Sequence, residues 1–239
     1  KRQELASRYN LYVIEDAAQA VDSFYKGNPL GGIGHLGTFS FHETKNLNCG
    51  EGGLLIINDE QFIKRAEIIW EKGTNRIEFH KGEVKKYEWV DIGSSFLPSE
   101  VVAAFLFAQI NNLDNIQKKR IWIWNKYNDE LSFLNDKIEL PSVPSYATNN
   151  GHLFYLVLND RNQRTRFLDF MKNKGVLSVF HYQSLHKSPF YKTKHDKRVL
   201  SNADKYSNQL IRLPLFYELE EKEIDYIISS IKDFFRGFM

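Results

Sequence analysis

The amino-acid sequence predicts an α/β protein built from two units. Two sets of short apolar runs have the length of buried strands, and each set is accompanied by helices with an apolar face. A long amphipathic segment, Leu113 to Leu131, lies between the sets and is typical of a helix that connects two bodies. We therefore predict a first domain over residues 1–115 and a smaller C-terminal α/β domain over residues 116–239.

Three strands are predicted in the first domain. The apolar run 11–14 is followed by Glu15 and Asp16, which favours a buried parallel strand with acidic residues at its carboxyl end. Further strands are predicted at 37–41 and 54–57. Ligands of open α/β sheets bind at the carboxyl ends of the strands. We therefore expect a functional site at this edge.

Two helices are predicted after these strands. Asp59 is a candidate N-cap for a helix with one apolar face over 62–70, and Gly73 follows its end. Ser99 is a candidate N-cap for a second helix, in which residues 101–107 are apolar on nearly all sides. This pattern predicts a helix that is enclosed by protein.

The second domain reads as an independent α/β unit. A strand is predicted at 152–158, a helix at 163–174 that ends at Gly175, and a second strand at 176–181. A final helix is predicted at 220–235, where the isoleucines and Phe235 form a continuous apolar stripe.

Composition excludes several classes of protein. The chain has 32 Lys and Arg against 30 Asp and Glu, a formal charge of +2, so nucleic-acid binding is not expected. Its basic segment 187–198 favours a solvated loop, with a contact to a nucleotide diphosphate as the alternative. Cys49 is the single cysteine, which fits a reducing cytoplasm, and no apolar run approaches the length of a membrane span.

Asp16 and Lys45 each follow a predicted strand of the same sheet. Pyridoxal phosphate (PLP) needs a lysine amine for its aldehyde and a carboxylate beside its ring nitrogen, and these two residues supply both groups. On spacing alone, two ordinary surface residues are the more frequent outcome.

The local sequence around these residues is more specific than their spacing, because three motifs occur in order. The sequence resembles the DegT/DnrJ/EryC1/StrS family of sugar aminotransferases, and the resemblance covers nearly the whole chain. The motifs are 13–20, 37–46 and 50–53, and the similarity continues through 71–76, 91–95, 181–186 and 213–215.

The resemblance implies the aspartate-aminotransferase-like (fold type I) PLP-dependent transferase fold, with an incomplete large domain and a smaller C-terminal domain. Family members carry a long N-terminal stretch that has no counterpart in this sequence, including a phosphate-binding turn and an aromatic residue that stacks on the cofactor. We therefore expect an open cofactor pocket, in a chain that is either part of a longer enzyme or an inactive fragment.

Four cofactor-binding roles follow from the resemblance. Lys45 matches the lysine that holds PLP in a Schiff base and later acts as general base. Asp16 matches the carboxylate paired with the pyridinium nitrogen, Gln19 the amide beside the ring, and Ser40 a hydroxyl that binds the phosphate. Without the motif, an outward-facing Ser40 and an exposed Gln19 are the simpler interpretations.

Further roles concern the substrate and the neighbouring subunit. By resemblance, Ser94 and Ser95 lie where family members reach the phosphate of the other subunit of a homodimer. His42 is a candidate substrate contact, with a structural histidine as the equal alternative, and His186 is a candidate sugar-nucleotide contact. A metal site at His181 and His186 is rejected because no third ligand has a recognisable spacing.

The reaction implied is transfer of an amine from glutamate, through PLP, to a nucleotide-linked keto-deoxysugar. Lys45 argues against the sugar dehydratases of the same fold, which have histidine at that position. A non-catalytic scaffold or regulator of the same fold is the alternative class. Uptake of cofactor by the purified protein distinguishes the two.

Overall fold

The computed structural model describes residues 2–237. The α-helices are α1 (Arg2–Arg8), α2 (Ile63–Trp70), α3 (Arg76–His80), α4 (Glu100–Asn111), α5 (Leu113–Glu130), α6 (Arg161–Asn173), α7 (Ser201–Gln209) and α8 (Glu221–Arg236). The strands are β1 (Ile14–Asp16), β2 (Phe24–Tyr25), β3 (Asn28–Pro29), β4 (Leu36–Ser40), β5 (Gly53–Ile57), β6 (Phe154–Val157), β7 (Val179–Phe180) and β8 (Leu210–Leu213). Single 3-10 turns lie at Glu60–Phe62, Ser132–Leu134 and Leu185–Lys187.

The chain forms two compact units. The first unit contains the residues up to Asn115 together with Ser145–Asn150. The second contains Ile116–Pro144 and the residues from Gly151 onward. The short segment 145–150 therefore belongs with the first unit, although both of its flanks belong to the second.

The main sheet of the first unit has the strand order β1-β4-β5. β1 and β4 are parallel, with Asp16 opposite Thr38, and β4 and β5 are antiparallel, with Ser40 opposite Gly53. The predicted parallel arrangement of the first strand is confirmed. Because β1 and β4 run in one direction, the chain leaves both strands at the same edge of the sheet.

The first strand differs from the prediction in its burial. It begins at Ile14 rather than Leu11, and Leu11, Tyr12 and Ile14 are all exposed. β1 is an edge strand that pairs only with β4 within the described sheet, so it lacks the neighbours that a buried strand requires. The expectation of a buried strand is therefore wrong for this part of the chain.

The predicted cap of α4 is confirmed, because the Ser99 hydroxyl accepts a hydrogen bond from Val102 N at 3.3 Å. The Asp59 carboxylate accepts from Gln61 N and so caps the 3-10 turn Glu60–Phe62, which leads into α2, rather than α2 itself. The helix that Ser99 begins, α4, has no buried residue, although its sequence predicts a helix enclosed by protein. Val102, Ala103 and Leu106 are half-buried, and the other apolar residues of α4 are exposed.

A small hairpin, β2–β3, was not predicted as strands. Its turn residues Lys26 and Gly27 both have positive φ, as the tight two-residue hairpin turn requires. Phe24 N donates to Thr148 Oγ1 at 2.8 Å, and Lys26 N donates to Tyr146 O at 2.7 Å. These bonds attach the segment 145–150 to the first unit.

The second unit has an antiparallel sheet in the order β6-β8-β7, with α5, α6 and α8 contributing to one hydrophobic core. The last helix forms as predicted, and a reciprocal capping box between Glu220 and Glu223 begins it. The central strand β8 was not predicted. Arg120 is buried, donates to Gly151 O at 3.1 Å and to His152 O at 2.7 Å, and burial lowers its pKa to about 10.

Candidate active site

Asp16 is the last residue of β1. Its Oδ1 accepts a hydrogen bond from Ala18 N at 3.1 Å, and the side chain is otherwise exposed. The next residue, Ala17, donates its N–H to Thr38 O at 2.9 Å and so continues the pairing with β4. Asp16 makes no ion pair with any residue that the structure describes. Its carboxylate is therefore fixed at the sheet edge and available to a ligand.

Lys45 lies in the loop that joins β4 to β5. The loop is closed by Cys49 N to Phe41 O and by Glu43 N to Gly50 O, both at 2.9 Å, and Lys45 N donates to His42 O at 2.9 Å. The Lys45 side chain is half-buried, and its amine has no ion pair within residues 2–237. The loop thus holds the lysine backbone in a defined turn.

The sheet brings these two residues to the same edge. Neighbouring strands are about 4.8 Å apart, and the loop of Lys45 leaves β4 where Asp16 ends β1. Twenty-nine residues of sequence separate the two side chains, and the parallel pairing removes most of that separation. The convergence of the two side chains on one cofactor stays a prediction.

Ser40 and His42 lie where β4 ends. Ser40 Oγ accepts from His42 N at 3.3 Å, so its own O–H proton stays available for another acceptor. His42 Nδ1 accepts from Thr44 N at 3.2 Å, which places the proton of the neutral ring on Nε2, 3.6 Å from Glu51 Oε1. His42 is therefore held within the loop through its Nδ1 atom.

The other predicted site residues occupy three separate positions. Gln19 is exposed and follows Asp16 by one turn. Ser94 and Ser95 are exposed beside the end of α2, where Ser94 N donates to Ile69 O at 3.1 Å and Ser95 pairs with Glu71. In the second unit, His186 Nε2 is 3.3 Å from Asp204 Oδ1.

Glu15 is one structural residue that the sequence analysis missed. Its carboxylate accepts backbone N–H groups from Gly31, Ile33 and Gly34 at 3.2, 2.6 and 2.7 Å. Three such donors hold the turn before β4 against β1. The sequence signal was present, because an acidic residue precedes a glycine-rich turn.

Asn46 and Asn150 were also missed. Asn46 follows Lys45 directly, and its Nδ2 donates to Asn150 O at 2.8 Å. Asn150 Nδ2 in turn donates to the carbonyls of Gln19 and Val21 at 2.8 and 2.9 Å. These bonds link the loop of Lys45 to the segment that follows Asp16.

No group of three or more His, Cys, Asp or Glu side chains is arranged to hold a metal ion within residues 2–237. Over the same range, none of the helices combines the length and the apolar character that crossing a membrane requires.

Comparison with known proteins gives consistent relatives. The chain is 29% identical over 237 residues to the uncharacterized protein MJ1066 of Methanocaldococcus jannaschii, covering 96% of this chain and 61% of that protein. DesV from S. venezuelae is 27% identical with a TM-score of 0.85, covering 97% of this chain and 60% of DesV. Spr1654 from Streptococcus pneumoniae, in its PLP-form, has the same fold with a TM-score of 0.83 at 23% identity, covering 98% and 60%.

The chain thus spans about three-fifths of the length of these relatives. Aminotransferases of the family to which DesV belongs use PLP. The model of that family matches residues 1–232, almost the entire sequence. The chain therefore belongs to the DegT/DnrJ/EryC1/StrS aminotransferase family.

Proposed function

We propose that this chain forms the larger part of a PLP-dependent aminotransferase that acts on a nucleotide-linked keto-deoxysugar. One observation carries the proposal. Asp16 and the loop of Lys45 follow neighbouring parallel strands and lie at one sheet edge, and neither side chain has an ion-pair partner among the described residues. The chain belongs to a family of PLP-dependent aminotransferases, and an amine and a carboxylate are the groups that PLP requires.

The side chains at this edge fit the chemical groups of PLP. A primary amine, a carboxylate and a hydroxyl with an available proton are supplied by Lys45, Asp16 and Ser40. These groups match an aldehyde, a protonated ring nitrogen and a phosphate, respectively. Gln19 adds an exposed amide one turn after Asp16. We therefore assign these four residues to the cofactor.

PLP, when bound, supplies an aldehyde for the amine and a ring that accepts electrons. The Asp16 carboxylate would hold the proton on the ring nitrogen and so keep the ring positively charged. The Lys45 amine would anchor the cofactor and then move a proton at the reacting carbon of the substrate. The Ser40 hydroxyl would donate to the phosphate and fix the cofactor's orientation.

The finer substrate assignment also belongs to this proposal. We propose glutamate as amino donor and dTDP-4-keto-6-deoxyglucose as acceptor, which gives dTDP-4-amino-4,6-dideoxygalactose for cell-surface lipopolysaccharide. Support comes from the segments 181–186 and 213–215, whose amino-acid sequences resemble those of transaminases with that specificity. His42 and His186 are the proposed substrate contacts.

The assembly is proposed as a cytoplasmic homodimer. In this arrangement Ser94 and Ser95 of one subunit reach the cofactor phosphate of the other. Both serines are exposed, and neither hydroxyl has a hydrogen-bond partner within the described chain. They are therefore free to contact a second copy.

Lys45→Ala tests the proposal most directly, with Lys85→Ala as the matched control because Lys85 is an exposed lysine of the same unit. The protein is incubated with PLP and reduced with borohydride, and the modified lysine is located by peptide mass spectrometry. We expect the adduct on Lys45 in the unsubstituted chain and in Lys85→Ala, and its absence in Lys45→Ala.

Transamination should be measured with glutamate and a panel of dTDP-linked 3-keto and 4-keto sugars. We expect 2-oxoglutarate to form with the 4-keto sugar and no turnover in Lys45→Ala. Turnover by Lys45→Ala would reject the assigned lysine. A chain that takes up no PLP would instead support a non-catalytic scaffold.

A further inference from the structure

We infer that Asn150 is a positioning residue that sets the distance between Lys45 and Asp16. The inference rests on the proposed function, because it concerns the same cofactor groups. Asn150 lies more than one hundred residues further along the chain than either of them. It belongs to the segment 145–150. This segment is part of the first unit, although the residues before and after it in sequence are part of the second.

The hydrogen bonds of Asn150 extend in two directions. Its side-chain Nδ2 donates to Gln19 O at 2.8 Å and to Val21 O at 2.9 Å. Its backbone carbonyl accepts from Asn46 Nδ2 at 2.8 Å. One residue therefore contacts the segment that follows Asp16 with its side chain and the loop of Lys45 with its backbone.

Burial makes these bonds costly to lose. Asn46 is 6% exposed and Asn150 is 7% exposed. Inside a protein, a polar group that loses its partner without gaining water destabilises the fold. Removal of the Asn150 amide leaves two carbonyls without this donor. Because the connected groups depend on one another, such a network favours a single arrangement of the two segments.

The connection to the reacting groups is short on both sides. Asn46 is joined to Lys45 by one peptide bond, so a shift of its backbone moves the lysine. On the other side, Ala20 N donates to Ala17 O at 2.9 Å, and this turn connects Gln19 to Asp16. The affinity for a cofactor that contacts both side chains depends on the distance between them. Displacements of about 1 Å are sufficient to reduce catalysis strongly.

A purely structural role for the segment 145–150 is the competing explanation, and Thr148 provides the matched control. Thr148 Oγ1 accepts from Phe24 N at 2.8 Å, and Thr148 N donates to Phe24 O at 3.1 Å. Thr148→Ala thus removes one side-chain anchor of the same segment. That anchor holds the β2–β3 hairpin and contacts neither the Asp16 segment nor the Lys45 loop.

The first measurement is amide hydrogen exchange on the cofactor-free chain. Asn150→Ala should increase exchange in two separate stretches, 17–22 and 42–50. Thr148→Ala should increase exchange only around 23–26 and its own segment. Increased exchange confined to 145–150 in Asn150→Ala would overturn the inference, because loss of the side chain would then leave both functional segments in place.

The second measurement is the dissociation constant for PLP, from a titration followed by absorbance. We expect binding at least about tenfold weaker in Asn150→Ala and within about twofold of the unsubstituted chain in Thr148→Ala. Asn46→Ala should also weaken binding, and the double variant Asn46→Ala/Asn150→Ala should lose less than the sum, because both bonds act in one connection. Equal losses in Asn150→Ala and Thr148→Ala at equal thermal stability would reject the positioning role.

The two measurements separate this inference from the proposed function. Hydrogen exchange tests the connection without any cofactor. If the unsubstituted chain binds no PLP while exchange changes as expected, the proposed function fails and the mechanical link between the two segments stands.

Discussion

The two units of this chain bury their apolar residues to very different extents. The second unit contains the continuous hydrophobic core, to which α8 alone contributes six buried residues. In the first unit α4 has no buried residue, and Leu11 and Tyr12 before β1 are exposed. Clusters of exposed apolar side chains mark places on a protein surface where other protein binds.

This contrast shows that the apolar pattern of a helix and its burial are separate properties. Helix α8 has an apolar stripe, and that stripe is buried in the core of its own unit, where Phe234 packs against Phe167 of α6. Helix α4 is apolar on nearly all sides, and the described chain buries none of its residues fully. A sequence pattern thus predicts that a helix is suited to burial, and it does not identify the covering element.

Two phenylalanine substitutions test this contrast, and one of them should change the free energy of unfolding strongly. Phe167 in α6 is 0% exposed and packs against Phe234 with ring centres 5.0 Å apart, whereas Phe107 in α4 is 65% exposed. We expect Phe167→Ala to lower the free energy of unfolding by about 3–5 kcal/mol. Phe107→Ala should change it by no more than about 0.5 kcal/mol. Urea unfolding followed by circular dichroism measures both.

Each variant serves as the control for the other, since both replace the same residue type inside a helix. A loss of several kcal/mol in Phe107→Ala would show that α4 is covered in solution. The stated contrast between the units would then be wrong for α4.

Features set by neighbouring residues were predicted well from the sequence. The caps Asp59 and Ser99 depend on a side chain two or three residues from its partner, and α8 depends on its own periodicity. Strand β8 was missed because it follows α7 without any turn residue between them. The exposure of Ile14 was missed because burial depends on which strands lie beside β1.

The candidate site shows the same limit. Asp16 and Lys45 were predicted because each follows a strand and lies in a recognisable motif. Asn150 was not, because its partners Asn46 and Gln19 lie 104 and 131 residues away in sequence. A single sequence carries no local signal for a contact of that separation.

Cys49 offers an intermediate test, because the only thiol lies in the first unit. Its Sγ is buried beside Phe41 O and Glu51 O, and burial, together with the charge of Glu51, raises the pKa of the thiol. We expect labelling by a maleimide to be about tenfold to a hundredfold slower than in urea-unfolded protein. The rate is followed by intact mass.

The dependence of the labelling rate on urea concentration shows whether the first unit opens before the second unit unfolds. If the first unit opens locally, labelling should accelerate at urea concentrations that leave the second unit folded by circular dichroism. Labelling that accelerates only with global unfolding would show that the units unfold together, despite the exposed apolar surface of the first.

His181 provides the smallest expected effect, in the second unit. It follows β7, and the neighbouring strand β8 carries Arg212 opposite Val179. Burial lowers the pKa of His181 below its ordinary value of 6.5, and the charge of Arg212 lowers it further. Below pH 6.5 the unfolded chain therefore binds this proton more readily than the folded chain does. Stability should fall as the pH drops from 6.5 through the folded-state pKa and be independent of this group above 6.5.

Urea midpoints measured between pH 5 and 8 test this dependence. His181→Gln removes the titrating group and should flatten the part of the curve below pH 6.5. Arg212→Gln removes the neighbouring charge and should reduce the slope without abolishing it, since burial is the larger cause. An unchanged slope in His181→Gln would show that the acid sensitivity arises elsewhere. In that case His181 would contribute no more to the pH dependence of stability than an exposed histidine does.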